Sequence, residues 1–272
     1  MKALDLLKKQ NYPAVMFYGP AGTGKTALCS QAKNSYMFDF DNGMRTAALM
    51  DDKFSVLRQN TEFDIYYDDL PSSPKCWLAA EKKINELSQQ SAQGKLKEDC
   101  IIIDSLTGMA KAIQLQVMAM AGNPFGRPQI QHYGTMVGEM EKALTILRSL
   151  KCLLLVTAHE MAFEADGVNL IRPLSITSAH SKNKIMWLFD EVLHTKLMPA
   201  PLKTHKYIIS GYSTASIAAR TRSTMKKDMD VSELGLAGVL KRIGYNEGVK
   251  IDNSNNRTSS KDINVNNILN RK

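Results

Sequence analysis

The chain has 272 residues and a formal net charge of +8, and 44% of its residues are apolar and 23% charged. These fractions are typical of globular proteins, so they exclude a wholly disordered chain, a collagen and a coiled coil. No stretch reaches the ~18 uncharged apolar residues that a membrane helix needs. Asp5 interrupts the apolar residues near the N-terminus, which argues against a secretory signal. We therefore expect no membrane partner.

The first half of the chain alternates continuous apolar runs with segments of helical apolar spacing. Predicted strands cover residues 14–18, 36–41, 54–57 and 100–104, and predicted helices cover 4–10, 25–33, 75–90 and 106–120. Apolar strands that alternate with helices favour a mostly parallel sheet with helices on both of its faces. The predicted fold class is therefore α/β.

The second half continues this pattern with longer irregular segments. The prediction gives a loop over 121–134, a helix over 136–150, a strand over 153–157 and an irregular stretch over 161–184. Strands over 188–196, 207–211 and 216–221 follow, and then a helix over 231–243. From residue 248 onward the composition shifts to Asn, Ser and Lys, which predicts disorder. We expect one domain over 1–247 and a disordered tail over 248–272.

The cysteines do not form a metal or redox motif. They are Cys29, Cys76, Cys100 and Cys152, and no two are close enough in sequence for a C-x-x-C pair. Cys100 and Cys152 each begin a strongly apolar run, which suits a small buried side chain. The pattern predicts reduced thiols, a cytoplasmic location and no zinc site.

A phosphate-binding motif lies between the first predicted strand and the helix that follows it. Residues 19–26 read Gly-Pro-Ala-Gly-Thr-Gly-Lys-Thr and match G-x-x-x-x-G-K-[ST] at every fixed position. The glycines allow backbone N–H groups to converge on phosphate oxygens, and the helix N-terminus adds its positive dipole end. Lys25 supplies a charge to the β- and γ-phosphates. The predicted nucleotide-binding residues are Gly19, Pro20, Ala21, Gly22, Thr23, Gly24, Lys25, Thr26 and Ala27.

A magnesium site is predicted beside this loop. The Thr26 hydroxyl is the motif's usual Mg²⁺ ligand, and Asp104 ends the most apolar predicted strand. Open parallel sheets bind ligands at the carboxyl ends of their strands, where Asp104 would lie. An alternative is that Asp104 only caps the helix that follows.

Three further polar groups follow predicted strands in an ordered series. They are Asp39-Phe40-Asp41, His159-Glu160 and Arg220-Thr221-Arg222. With the phosphate loop, they make residues 13–245 resemble the RecA-like P-loop ATPases, and most of all the phage-encoded minimal RecA-like single-strand annealing ATPases. The resemblance implies a RecA-like core that hydrolyses ATP with Mg²⁺, binds single-stranded DNA and promotes annealing or recombination. For a phage protein, the location would be the cytoplasm of the bacterial host.

The resemblance also implies roles for these groups. Asp41 would polarise the attacking water, although RecA-like enzymes usually carry the longer glutamate there, and Glu160 is a second candidate base. His159 would sense the γ-phosphate. Arg220 and Arg222 would act as an arginine finger on the nucleotide of a neighbouring subunit, which requires self-association with the ATP site between subunits. The alternatives are a strand cap for the aspartates, a structural histidine and a solvated basic strand end.

Charge and loop composition are the basis of the DNA prediction. Residues 36–69 hold eight acids and three bases, whereas residues 180–227 hold nine bases and two acids. A basic half suggests a polyanion such as nucleic acid, but it is also compatible with solvated surface or with self-association against the acidic half. By resemblance, two loops over 122–133 and 161–184 would contact single-stranded DNA. Aromatic and basic residues in such loops stack on bases and bind phosphates.

Other functions remain open at this stage. One is a DNA helicase or helicase loader, and another is a RecA-like regulatory ATPase that acts on protein. A small-molecule phosphotransferase is a further alternative, although the sequence contains no recognisable acceptor pocket or lid. A single-strand DNA-binding protein is a further candidate partner, and the role of the tail stays open.

Overall fold

A computed structural model of the chain describes residues 12–44, 61–70, 72–165, 168–175, 185–201, 205–223, 225 and 227–245. Three predicted segments lie outside these residues: the helix over 4–10, the strand over 54–57 and the tail over 248–272. In the described part of the chain, no helix has the length and apolarity needed to cross a bilayer.

A mixed sheet of nine strands forms the centre of the described structure. Its strands are β1 (Ala14–Tyr18), β2 (Ser35–Asp39), β3 (Thr61–Ile65), β4 (Cys100–Asp104), β5 (Leu153–Ala158), β8 (Glu191–Pro199), β9 (His205–Ser210), β10 (Arg220–Thr221) and β11 (Met229–Asp230). The order is β3-β2-β4-β5-β1-β8-β9-β11, and β10 pairs with β8. The first six strands in this order are parallel, and β9, β10 and β11 are antiparallel to their partners. The predicted mostly parallel sheet is confirmed.

Helices cover both faces of the sheet, as predicted. They are α1 (Lys25–Cys29), α2 (Cys76–Ala92), α3 (Leu106–Met120), α4 (Ile130–Ser149) and α5 (Gly235–Arg242). Successive side chains of a strand point to opposite faces, so Ile101 and Ile103 pack with α2, α3 and α4, whereas Ile102 packs with α1 and α5. Burying each such side chain stabilises the fold by about 1.5–3 kcal/mol. The apolar run of β4 is thus explained by burial on both faces.

The strand order brings four chain segments to one edge of the sheet. The parallel strands β1, β2, β4 and β5 all end at this edge, and β5 lies between β1 and β4. The glycine-rich loop follows β1, and Asp39, Asp104 and Ala158 end the other three strands. Residues that are far apart in sequence therefore meet here.

The stretch over 161–184, predicted to be irregular, instead begins with a hairpin. Strands β6 (Glu160–Ala165) and β7 (Val168–Pro173) pair antiparallel, with Ala165 opposite Val168. Only His159 separates β6 from β5. The two residues between the paired strands are Asp-Gly, a dipeptide that favours tight hairpin turns, so a sequence signal for this hairpin was present. Residues 176–184 lie outside the described chain.

Other differences concern the bounds of elements. Strand β3 was not predicted because four of its five side chains are exposed and it lacks an apolar run. Helix α1 ends at Cys29 rather than at residue 33, and the last predicted strand is reduced to Arg220–Thr221. Helix α4 begins at Ile130, inside the predicted loop, because Gln129 and His132 form a reciprocal capping pair at its start.

Candidate active site

The phosphate loop is held in place by β8, the parallel neighbour of β1. The Thr23 hydroxyl hydrogen-bonds the Thr195 hydroxyl at 2.8 Å. A Cβ at Gly19 would lie 2.3 Å from the Thr195 carbonyl oxygen, so no side chain fits at this position. Gly22 and Gly24 have φ angles of +78° and +76°, which glycine adopts without strain. The motif's glycines are therefore required by this backbone geometry.

Lys25 lies inside the loop with most of its side chain buried. Its ammonium donates to the carbonyl oxygens of Gly19 and Pro20 at 3.0 and 2.7 Å. Burial lowers the pKa of Lys25 by disfavouring the charged form. Three carboxylates raise it, in decreasing order of effect: Asp104, Glu160 and Asp41. The structure thus brings these three predicted site residues within electrostatic range of the loop lysine.

The two predicted magnesium ligands are in direct contact. The Thr26 hydroxyl donates to Asp104 Oδ2 at 2.9 Å. Burial raises the pKa of the Asp104 carboxyl, and hydrogen bonds from Thr157 and Thr26 lower it. A hydroxyl and a carboxylate at a phosphate loop are the hard oxygen donors that Mg²⁺ prefers, so these residues fit the ion.

Asp104 does not cap the following helix. The N-cap of α3 is Ser105, whose hydroxyl accepts a hydrogen bond from the Gly108 backbone N–H at 3.1 Å. The alternative role that the sequence allowed for Asp104 is therefore wrong.

Thr157 belongs to this site but was not predicted. It is the penultimate residue of β5, and its hydroxyl donates to Asp104 Oδ1. Both oxygens of the Asp104 carboxylate are therefore held by threonines. A polar residue near the end of an otherwise apolar strand was the signal that sequence reasoning passed over.

The aspartate doublet has two separate roles. Strand β2 ends at Asp39, which is fully buried and accepts hydrogen bonds from the backbone N–H groups of Gly43 and Met44 at 3.0 and 2.8 Å. Asp39 thus closes the turn after β2. Asp41 lies beyond the strand and its carboxylate pairs with His159 Nε2 at 3.2 Å. The strand ends before Asp41, but both aspartates remain close enough to Asp104 to raise the pKa of its carboxyl, Asp41 more than Asp39.

His159 and Glu160 are neighbours in sequence but pair with different elements. His159 contacts Asp41 on the β2 side, whereas Glu160 Oε2 lies 2.9 Å from Nε2 of His194 on β8. His194 is buried, and its ring centroid lies 4.9 Å from that of Tyr18. His194 was missed because a single histidine in an apolar strand carries no local signal.

The two arginines lie away from the phosphate loop of their own chain. Arg220 pairs with Val192, which pairs with Met16 of β1. This register places the Arg220 backbone ~10 Å before the loop along the strand direction. Arg222 lies two residues further along the chain, away from the loop, and forms an ion pair with Asp190 at 2.7 Å. The structure brings neither arginine to the site of the same chain.

Tyr207, another unpredicted residue, borders the loop on the β9 side. A Cβ at Gly24 would lie 3.1 Å from two carbons of the Tyr207 ring, and the residue is 40% exposed. An exposed aromatic ring beside a phosphate loop offers a surface on which a nucleobase can stack.

A cleft of about 870 Å³ leads away from the site along α3. Asp41 and His159 line one end, and residues 124–126 of the loop before α4 line the other. Phe125 is 78% exposed. Since α3 has 15 residues, the cleft runs beside a helix about 22 Å long.

Several bases of the basic half are paired with carboxylates. Lys196 lies 2.7 Å from Asp228, and Lys206 lies 3.2 Å from Asp230. Both aspartates come just after residue 227, where the basic segment was taken to end. The structure therefore neutralises part of the charge on which the DNA prediction depended.

A comparison with protein families covers the segment that contains this site. A family model described as an AAA domain matches residues 11–223, whereas no curated protein matches the chain. One solved structure with a similar fold is an ATPase from the type III secretion system of pathogenic bacteria, at 15% identity and a TM-score of 0.41. That match covers 68% of this chain and 52% of the secretion ATPase, so the chain spans about half of that protein's length. Because the family match spans most of the sequence and includes the phosphate loop, the chain belongs to the AAA domain family of P-loop ATPases.

Proposed function

We propose that the protein is an Mg²⁺-dependent, RecA-like ATPase that binds single-stranded DNA and promotes annealing or recombination. The observation that carries the ATPase part is the meeting of Lys25 with the Thr26–Asp104 pair at one sheet edge. Lys25 and the loop's backbone N–H groups bind the phosphates, and Thr26 and Asp104 hold the ion. When bound, Mg²⁺ neutralises charge on the β- and γ-phosphates.

Hydrolysis needs a carboxylate that orients the attacking water. The water oxygen bonds to the γ-phosphorus while the bond from that phosphorus to the β–γ bridging oxygen breaks. ADP leaves with the electron pair, and the proton of the water passes to the carboxylate and from there to solvent. Glu160 and Asp41 are the two candidates, since both act electrostatically on Lys25.

The DNA part is supported by the position of the two candidate loops. The β6–β7 hairpin is anchored at the nucleotide edge, because Leu174 N–H donates to the His159 carbonyl at 2.7 Å and Thr107 of α3 donates to the Leu174 carbonyl at 2.7 Å. The loop before α4 joins the same site through the cleft and carries Phe125 and Arg127. Aromatic and arginine side chains are suited to stacking on bases and binding phosphates.

Self-association is part of the proposal. Arg220 and Arg222 lie too far from the loop of their own chain to reach its γ-phosphate, so their proposed action is on a neighbouring subunit. For Arg222 this would require exchanging its ion pair with Asp190 for the phosphate.

A regulatory ATPase that acts on protein is the second candidate. The observation that favours it is the chemistry of the surface: basic residues are paired with aspartates, and the cleft exposes Tyr67 and Phe125. Exposed apolar side chains around a cleft suit a protein partner at least as well as a polyanion.

Steady-state ATP hydrolysis, measured with and without a single-stranded oligonucleotide at two salt concentrations, separates these functions. We expect DNA to stimulate hydrolysis, and more at low salt because phosphate contacts release counterions. Hydrolysis that is indifferent to DNA at both salts would favour the protein-directed ATPase. Unwinding of a forked duplex without annealing would favour a helicase.

A further inference from the structure

Two imidazole–carboxylate pairs flank the junction between β5 and β6. On one side His159 pairs with Asp41, and on the other Glu160 pairs with His194. The side chains of the first pair are 41% and 30% exposed, whereas that of His194 is only 6% exposed. The Glu160–His194 pair is therefore the more shielded of the two.

The surroundings of His194 identify which of its nitrogens carries the proton. Nε2 lies 2.9 Å from Glu160 Oε2, and Nδ1 is buried without a hydrogen-bond partner among the described residues. A buried N–H without an acceptor is rarer in proteins than a buried acceptor without a donor. We therefore assign the proton to Nε2, which makes His194 a donor to Glu160.

This hydrogen bond occupies one oxygen of Glu160 and fixes the rotamer of a flexible side chain. Glu160 is 26% exposed at its side chain, so it borders both the buried histidine and solvent. Among the carboxylates that raise the pKa of Lys25, Glu160 has a larger effect than Asp41, although burial is the largest influence and lowers that pKa. Of the two candidate bases, Glu160 thus has the stronger electrostatic effect on the loop lysine.

We infer that His194 is a positioning residue for ATP hydrolysis: it holds Glu160 by one carboxylate oxygen so that the other orients the attacking water. This rests on the proposed ATPase function and assigns its base to Glu160 rather than Asp41. His194 itself is positioned by its strand, since it lies opposite Tyr18, the residue before the phosphate loop. The adjacent strands β8 and β1 therefore position the base and the phosphate loop, respectively.

A purely structural role for the pair makes a different prediction. If the pair only anchored the β6–β7 hairpin, removing the histidine would lower thermal stability and impair nucleotide binding and turnover together. If His194 positions Glu160, removing the histidine lowers kcat and leaves KM for ATP nearly unchanged. The same substitution has no effect on kcat when the Glu160 carboxylate has already been removed.

The test is a double-mutant cycle on kcat with Glu160→Gln and His194→Leu. His194→Leu keeps apolar volume and removes the donor, and His194→Gln supplies an amide donor of similar reach. We expect Glu160→Gln to lower kcat about 100-fold, within the usual range for loss of a general base. His194→Leu should lower kcat about 10-fold, and His194→Gln should restore most of it. The double variant should be no slower than Glu160→Gln alone.

The outcomes separate this inference from the function on which it rests. If wild-type protein does not hydrolyse ATP, the proposed function fails. If wild-type protein is active and Glu160→Gln keeps its kcat, or the two losses multiply in the double variant, the positioning role is overturned and the ATPase stands. Thermal unfolding and binding of a fluorescent ATP analogue check that each variant folds. Should His194→Leu fail to fold, His194→Phe, which keeps a ring and also lacks the donor, replaces it in the cycle.

Discussion

The Asp41–His159 and Glu160–His194 pairs have the same chemistry, and the neighbouring residues His159 and Glu160 supply one member of each. Their surroundings differ: water reaches both members of the first pair, and His194 is almost fully covered. Exposed ion pairs contribute about 1 kcal/mol or less because solvent and salt screen them. A hydrogen bond to a carboxylate in a shielded site is stronger and holds a fixed geometry. The two carboxylates are similarly exposed, at 30% and 26%, so the burial of the partner histidine decides which carboxylate is preorganised for catalysis.

The largest effect on hydrolysis is expected from a substitution that disables the phosphate loop, next to which both pairs lie. Lys25→Ala should lower ATP hydrolysis by about 1,000-fold, because the loop loses the cation that contacts the γ-phosphate. Steady-state phosphate release measures this, and it sets the floor against which variants of either pair are compared. Lys82→Ala is the matched control, since Lys82 is an exposed lysine of α2. Full activity in Lys25→Ala would show that hydrolysis does not occur at this loop.

Thr157 lies between the two pairs and provides a contrast with both. Thr157→Val removes the hydrogen bond to Asp104 Oδ1 and keeps the volume of the side chain. We expect the Mg²⁺ concentration for half-maximal hydrolysis to rise about 10-fold, since hydrogen bonds to charged groups contribute roughly 1.5–3 kcal/mol. Titration of hydrolysis with Mg²⁺ at saturating ATP measures the shift.

Thr135→Val is the control for this substitution, because Thr135 is an exposed threonine on α4. A lower kcat with unchanged Mg²⁺ dependence in Thr157→Val would mean that Thr157 acts on the carboxylate bases rather than on the ion site.

Residues of this site could be predicted from the sequence when a local pattern marks them, and were missed when they are defined mainly by contacts that are distant along the chain. Lys25 and Thr26 belong to a contiguous motif, and Asp104 could be placed because carboxyl ends of parallel strands share an edge. Thr157 carried a weak signal as a polar residue near the end of an apolar strand, but its contact with Asp104 spans 53 residues. The His194–Glu160 contact spans 34 residues, and a single sequence carries no local pattern for it. The β6–β7 hairpin is a different case, since its Asp-Gly turn signal was present and was overlooked.

Tyr207 tests the part of the site that is remote from both pairs. Tyr207→Ala should raise KM for ATP about fivefold with little change in kcat, because a stacked ring contributes roughly 0.5–1.5 kcal/mol and takes no part in the reaction. Tyr207→Phe should retain the wild-type KM, since the ring alone provides the stacking surface. An equal loss in both variants would assign the effect to the hydroxyl and exclude stacking.

The smallest effect is expected from the exposed pair. Asp41→Asn should change kcat by no more than about threefold, because its partner His159 is exposed and solvent screens the pair. His159→Gln should behave alike, and raising the salt concentration should reduce both effects further. Steady-state hydrolysis at two salt concentrations measures this against the loss in Glu160→Gln.

The opposite ranking would be equally informative about the molecule. A loss of about 100-fold in Asp41→Asn, with Glu160→Gln near wild type, would place the base on the β2 side despite its exposure. The shorter aspartate would then have to be brought to the water by closure of the site around ATP, because its present geometry ties it to His159. In that case the buried His194 would only anchor the β6–β7 hairpin through Glu160. The catalytic geometry of Asp41 would then be established by nucleotide binding itself.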